Sequence, residues 1–238
     1  MAQIPALLIC AALVLPACSG AETNTAPSGP AMQITGATKQ IPFRDVIEST
    51  THHRVLNFET NNPVHVKLRE NLLRAAALAG RQAAKAGLDA ARPNEAGNYL
   101  EPFVRSALHE VGLDARIPQN SNGNAQSAGY PDIEIAGPVP CYLELKTYNA
   151  STANTTQRTF YYSPSAQPKV THDALHFLLG YELEKQTRDG KTVFVPVHWK
   201  LITLENLVVD LKLEFNQSNR GLYGPAAGKA LLAEGVVE

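Results

Sequence analysis

Between residues 129 and 149 hydrophobic and polar positions alternate with a period of two on either side of a short break. Ile133 and Ile135 alternate with Asp132 and Glu134, and Leu143 and Leu145 with Tyr142, Glu144 and Lys146. This predicts two strands with every ionisable group on the face opposite the aliphatic one. Gly137, Pro138 and Pro140 supply the turn. Pairing the strands brings Asp132, Glu144 and Lys146 together at the rim of an apolar layer.

Upstream the period becomes helical. Asn62 is placed to cap and Pro63 to open a helix in which Val64, Leu68, Leu72, Leu73, Ala76 and Leu78 recur on one side, with Gly87 as its stop. Pro102 fits the first turn of a second helix, so Glu101 is expected near that helix's N-terminus, where the dipole favours a carboxylate. Downstream, 170–179 reads as a helix crossing back over the sheet, with Ala174, Leu175, Leu178 and Leu179 buried. Asp189-Gly190 marks a hairpin between 181–185 and 192–199. Thr203 is placed to cap a last helix through Leu204, Leu207, Val208 and Leu211, and 214–223 is loop-like.

Two convergent carboxylates beside a lysine can hold a divalent cation, because hard ions such as Mg²⁺ take carboxylate oxygens and keep waters for a substrate phosphate. Pro131-Asp132, eleven intervening residues, then Glu144-Leu145-Lys146 resembles the signature of the PD-(D/E)xK nucleases, the superfamily of most type II restriction endonucleases. The stretch from Gly97 through Glu101 to Gly112 is similar to the first core helix of that superfamily, which often carries a further acid. The resemblance covers roughly 94–180 in the right order. A surface hairpin with a solvated Glu-Lys pair is the bland alternative.

The resemblance implies an α/β fold of the restriction-endonuclease type: a mixed central sheet flanked by helices, with an N-terminal helical lobe. It implies Mg²⁺ held by Asp132, Glu144 and the main-chain carbonyl of Leu145, with Glu101 an outer or second-metal ligand and Lys146 orienting or deprotonating the attacking water. The implied partner is double-stranded DNA, and a homodimer stays open. An exported, envelope-tethered DNase without sequence preference and a catalytically silent nuclease-fold binding protein are the competing readings.

Three segments are expected: 1–38 as a signal and tether, 39–93 as the helical lobe, and 94–238 as the nuclease core. The apolar run 4–14 followed by Leu15-Pro16-Ala17-Cys18 resembles a bacterial lipoprotein signal, which implies a lipidated Cys18 tethering the chain to the cell envelope. No Lys or Arg precedes Lys39, and Pro16 departs from the usual pattern, so an over-called start in a cytoplasmic protein is the alternative. Of the other cysteines, Cys10 lies in the apolar run and Cys141 reads as a small buried hydrophobe.

Composition adds a constraint. At 44% hydrophobic and 18% charged the chain can build one substantial core, but its formal net charge of -1 gives no global attraction to a polyanion. Contact with nucleic acid therefore needs a local cluster of cations. Candidates are the basic face of the first helix (Lys67, Arg69, Arg74, Arg81, Lys85), which more often is simply solvated, and Arg158 beside Phe160, Tyr161 and Tyr162, which suits a phosphate contact or base stacking. The polar run 119–128 reads as a connector, with adenine reading by its Asn and Gln side chains as the sharper option. His172 and His176 are spaced as a metal pair, without a third ligand at zinc spacing. Gly190-Lys191-Thr192 lacks the glycine a phosphate loop needs five positions before Gly190, and no G-x-S-x-G elbow occurs.

Overall fold

The structure, a computed structural model, describes residues 39–90, 93–212, 218–225 and 231–236. The tether, Cys10 and Cys18 lie outside the described residues. Among those described, no helix is long and apolar enough to cross a membrane.

The elements in order are β1 (Ile41–Pro42), α1 (Phe43–Thr51), α2 (Pro63–Ala86), α3 (Pro93–Glu110), β2 (Asp114–Arg116), β3 (Ile133–Ala136), β4 (Cys141–Tyr148), β5 (Leu175–Arg188), β6 (Lys191–Thr203), β7 (Val208–Val209) and α4 (Asn219–Tyr223). Strands β2-β3-β4-β5-β6 form a five-stranded sheet, antiparallel throughout except for the parallel β4–β5 pair, and β1 pairs with β7 in a small separate ribbon. This is a mixed α/β architecture with helices against a central mixed sheet.

Both sheet faces are covered. On one, Leu68, Leu72 and Ala76 of α2 and Leu100, Val104 and Leu108 of α3 pack onto Ile133, Ile135, Leu143, Leu179 and Tyr181. Each fully buried Leu or Ile there contributes about 1.5–3 kcal/mol of transfer free energy. Tyr181 Oη donates to the Ala76 carbonyl at 2.8 Å, satisfying its hydroxyl inside that layer. On the other face Phe43 and Ile47 of α1 join Tyr130, Tyr142, Val170, Ala174 and Leu204. Arg44 fixes α1 in place by donating from Nε and Nη2 to the Glu205 carbonyl, at 2.9 and 2.7 Å.

The α2 signals act as read: Asn62 Oδ1 accepts from the Val64 N–H at 3.0 Å, Pro63 opens the helix, and Gly87 ends it at a φ of 73°. The hairpin does too, with Asp189 at φ 49° and Gly190 at φ 75° making the turn. Cys141 is fully buried, as expected of a small hydrophobe.

Four expectations are corrected. The stretch 170–179 holds no helix; from Leu175 it is the start of β5. A central strand buried on both faces shows a continuous apolar run instead of alternation, and such a run matches a helical stripe equally well. The chain makes the parallel β4–β5 connection through the irregular segment 149–174. Over 204–212 the described residues form no helix, because Val208 and Val209 pair with β1, a partner more than 160 residues away that no local pattern reveals. In the 214–223 stretch Ser218 caps the short α4 by accepting from Gly221 N–H at 3.1 Å. Finally, α3 begins at Pro93, so Pro102 and Glu101 lie inside the helix and not in its first turn.

Candidate active site

Asp132 stands one residue before β3, and the register Ile133↔Leu143 sets it beside Glu144 on β4. Its Oδ2 accepts the Leu145 N–H at 2.7 Å, tying the carboxylate to the main chain of the neighbouring strand. Glu144 is 4% exposed, since its strand lies between β3 and β5 with both faces covered. Glu144 Oε1 accepts from Lys146 Nζ, two residues along the same strand face, while Oε2 is buried with no hydrogen-bond partner. A bare carboxylate oxygen next to a second carboxylate is costly, and either a proton or a cation relieves that cost.

The electrostatics agree. Burial, and next the Asp132 charge, raise the Glu144 carboxyl to about 7, against the pull of Lys146. Burial also raises Asp132, opposed by the Leu145 hydrogen bond and then by Lys146. Glu101 is raised by burial and pulled back by Arg105, whose Nε stands 3.4 Å from Glu101 Oε1 in an ion pair without hydrogen-bond geometry.

A pH dependence follows. Folded Glu144 holds its proton more tightly than unfolded Glu144, so its contribution to stability is complete below the ordinary glutamate value and is lost as pH rises to about 7. Urea unfolding in EDTA at about pH 5 and about pH 8 should show the wild type weakening relative to Glu144→Gln. Parallel behaviour of the two proteins would contradict the raised carboxyl.

Asp132 opens onto a cavity of about 600 Å³, and buried Glu144 is not among the residues that line it. Glu101, Asp132, Leu145 and Lys146 line it, together with Asn98, Tyr148, Asn149, Arg158, Tyr161 and Lys185. Pro102 lacks an N–H, so the Asn98 carbonyl one turn earlier loses its helical partner at the cavity wall. Glu101 shares the cavity but does not complete a three-ligand group: among the described residues no three His, Cys, Asp or Glu side chains cluster as a metal cage.

The alternation along the strands does not distinguish Glu134, which is equally buried but engaged elsewhere, with Arg116 Nη2 at 2.6 Å and His172 Nε2 at 3.9 Å. The polar run is built around buried Asn120, whose Oδ1 accepts from the Asn122 and Asn124 N–H groups at 3.0 and 3.1 Å. Asn120 therefore folds the connector and is not free to read a base. His176 Nδ1 pairs with Tyr130 Oη at 2.6 Å and His172 Nδ1 with Tyr142 Oη at 3.2 Å, so both rings belong to the buried network behind the acids. None of the basic residues of α2 lines the cavity.

Sequence reasoning missed Lys169. It is 3% exposed, and Nζ donates to the Gln126 and Ser127 carbonyls at 3.2 and 3.4 Å, holding the segment that leads into Asp132. Its charge also acts on Asp132, Glu144 and Glu101. A lone lysine after Gln167-Pro168 carries no periodic signal, and only the fold brings it behind the acids.

A five-stranded mixed central sheet flanked by helices is consistent with a restriction-endonuclease-like α/β fold. The chain belongs to the Type II restriction enzyme MjaV family, whose model matches residues 35–226. The type II restriction enzyme MjaV of Methanocaldococcus jannaschii is 39% identical over 150 residues, covering 58% of this chain and 63% of the relative. The chain thus spans less than two thirds of that relative's length. No solved structure matches.

Proposed function

We propose that this chain is a Mg²⁺-dependent endonuclease that hydrolyses phosphodiester bonds of double-stranded DNA at specific sites. The observation that carries the reading is the pair Asp132 and Glu144, set side by side by the strand register, with Glu144 Oε2 bare and Lys146 on Oε1. Membership in a type II restriction enzyme family supports the substrate and the specificity. It favours this reading over an unspecific envelope DNase or a silent binder.

The donor set fits Mg²⁺. Two carboxylates and a main-chain carbonyl leave room for the waters this ion keeps, and among the described residues no three His, Cys, Asp or Glu side chains form the cage that suits zinc. Asp132, Glu144 and the Leu145 carbonyl would hold the ion, with Glu101 reaching it through water. When bound, the ion supplies positive charge for the phosphoryl oxygens and lowers the pKa of a coordinated water. Lys146 then orients the attacking water from beside Glu144 and offers a site for its proton traffic. Water oxygen bonds to phosphorus as the bond to the 3′-oxygen breaks; the attacking water gives up a proton to solvent and the departing 3′-oxygen takes one from solvent water, leaving a 5′-phosphate and a 3′-hydroxyl.

The test is incubation of the full chain with plasmid DNA and Mg²⁺. Discrete fragments, absent in EDTA, are the expected result. A smear would point to unspecific cleavage, and intact plasmid at every metal concentration would refute the nuclease reading.

A further inference from the structure

The β5–β6 hairpin is longer than the rest of the sheet. Pairing of β4 with β5 ends at Tyr148↔Glu182, yet β5 runs on to Arg188, paired only with β6. The overhang forms a wall of the acid-lined cavity, contributing Leu183, Lys185 and Phe194. The facing material comes from the irregular segment after β4. There Phe160 and Tyr162 turn inward onto Phe43, at ring separations of 5.3 and 6.0 Å, whereas Arg158 and Tyr161 line the cavity. Tyr161 Oη donates to the Arg158 carbonyl at 3.1 Å, bracing the main chain that carries the guanidinium.

Among the described residues, neither Arg158 nor Lys185 has a carboxylate partner. Both side chains are exposed at a cavity they share with the candidate acids, so they are placed to meet an anion that enters it. The cavity volume of about 600 Å³ is some twenty times the share of one water in the liquid, so it accommodates a length of sugar-phosphate backbone in addition to an ion. Lys146 is already engaged by Glu144, which leaves the other two cations for a different phosphate.

Resting on the nuclease reading above, we propose that Arg158 and Lys185 clamp a second phosphate of the substrate strand, next to the one cut. The overhanging hairpin is then a rail along which the strand lies.

The test is binding of a specific DNA duplex in Ca²⁺, which is read without turnover. A double variant, Arg158→Ala with Lys185→Ala, is expected to bind at least about tenfold more weakly, with the slope of log K against log salt reduced by about 1 for the one phosphate released. Its kcat at saturating duplex should stay within about threefold of wild type, because the lost contact exists in ground and transition states alike. A neutral methylphosphonate at the adjoining position should weaken wild type and leave the double variant unaffected. Lys191→Ala, at the hairpin tip outside the cavity, serves as control and should bind as wild type does. Equal affinity and salt slope in wild type and double variant would overturn the clamp, as would a lost kcat with unchanged affinity. Failure of wild type to cut in Mg²⁺ counts against the nuclease reading alone, since loss of duplex binding by the double variant would still support the clamp.

Discussion

Glu144→Gln should reduce DNA cleavage by at least about three orders of magnitude while leaving the fold intact. The substitution keeps the shape of a side chain that is 4% exposed, so no cavity opens in the sheet. It removes the charge that, with Asp132, would balance a divalent ion, and it leaves an amide where a bare carboxylate oxygen stood. Far-ultraviolet circular dichroism and the urea midpoint should be unchanged or slightly improved near neutral pH, because the repulsion from Asp132 disappears. A variant that folds and still cuts DNA at the wild-type rate would eliminate Glu144 from the site.

Lys146→Met should act on a different quantity. Lys146 touches Glu144 and lines the cavity, but the proposed role belongs to the reaction and not to holding the substrate. Turnover is therefore expected to drop by about 10²–10⁴-fold, with metal affinity and duplex affinity within a few fold of wild type. Single-turnover cleavage at saturating enzyme separates these effects. If duplex affinity fell in step with turnover, Lys146 would be a phosphate anchor of the kind proposed for Lys185, and the attacking water would need another partner.

What the sequence revealed of this site, and what it hid, has a physical pattern. Asp132, Glu144 and Lys146 were legible because a period of two and a proline-glycine turn are local rules, and the observed register Ile133↔Leu143 satisfies them. The α2 cap and the Asp189-Gly190 turn were legible for the same reason. The period also suggested a polar outer face for the strands, but Tyr142 is buried there with Phe43 and Ile47 of α1, Tyr130 and Val170, and Glu134 and Glu144 are buried as well. No hydropathy pattern announces a cover supplied by Phe43 and Ile47, a hundred residues upstream. The same blindness turned the start of β5 into an expected helix and hid the β1–β7 pairing. Glu101 lines the cavity but was misplaced within its helix: α3 already runs from Pro93, and Pro102 is accommodated in its interior, one turn after Asn98.

Lys169 and Lys185 mark the other limit. Each is a single lysine in an unremarkable local context, and each acquires meaning only from what the fold sets near it, the Gln126 and Ser127 carbonyls for one and the cavity wall for the other. Arg158 was singled out for its aromatic neighbours, and it lines the cavity with Tyr161 while Phe160 and Tyr162 pack onto Phe43.

The claim on which the rest depends is that Asp132 and Glu144 together hold a divalent cation. Isothermal titration of Mg²⁺, or of Ca²⁺ as an inert substitute, into the DNA-free full chain addresses it directly. Wild type should bind with an affinity that strengthens as pH rises through about 7, where Glu144 loses its proton. Asp132→Ala and Glu144→Gln should each weaken binding at least about tenfold. Metal binding that is identical in all three proteins, or absent from the wild type at every pH, would contradict the account.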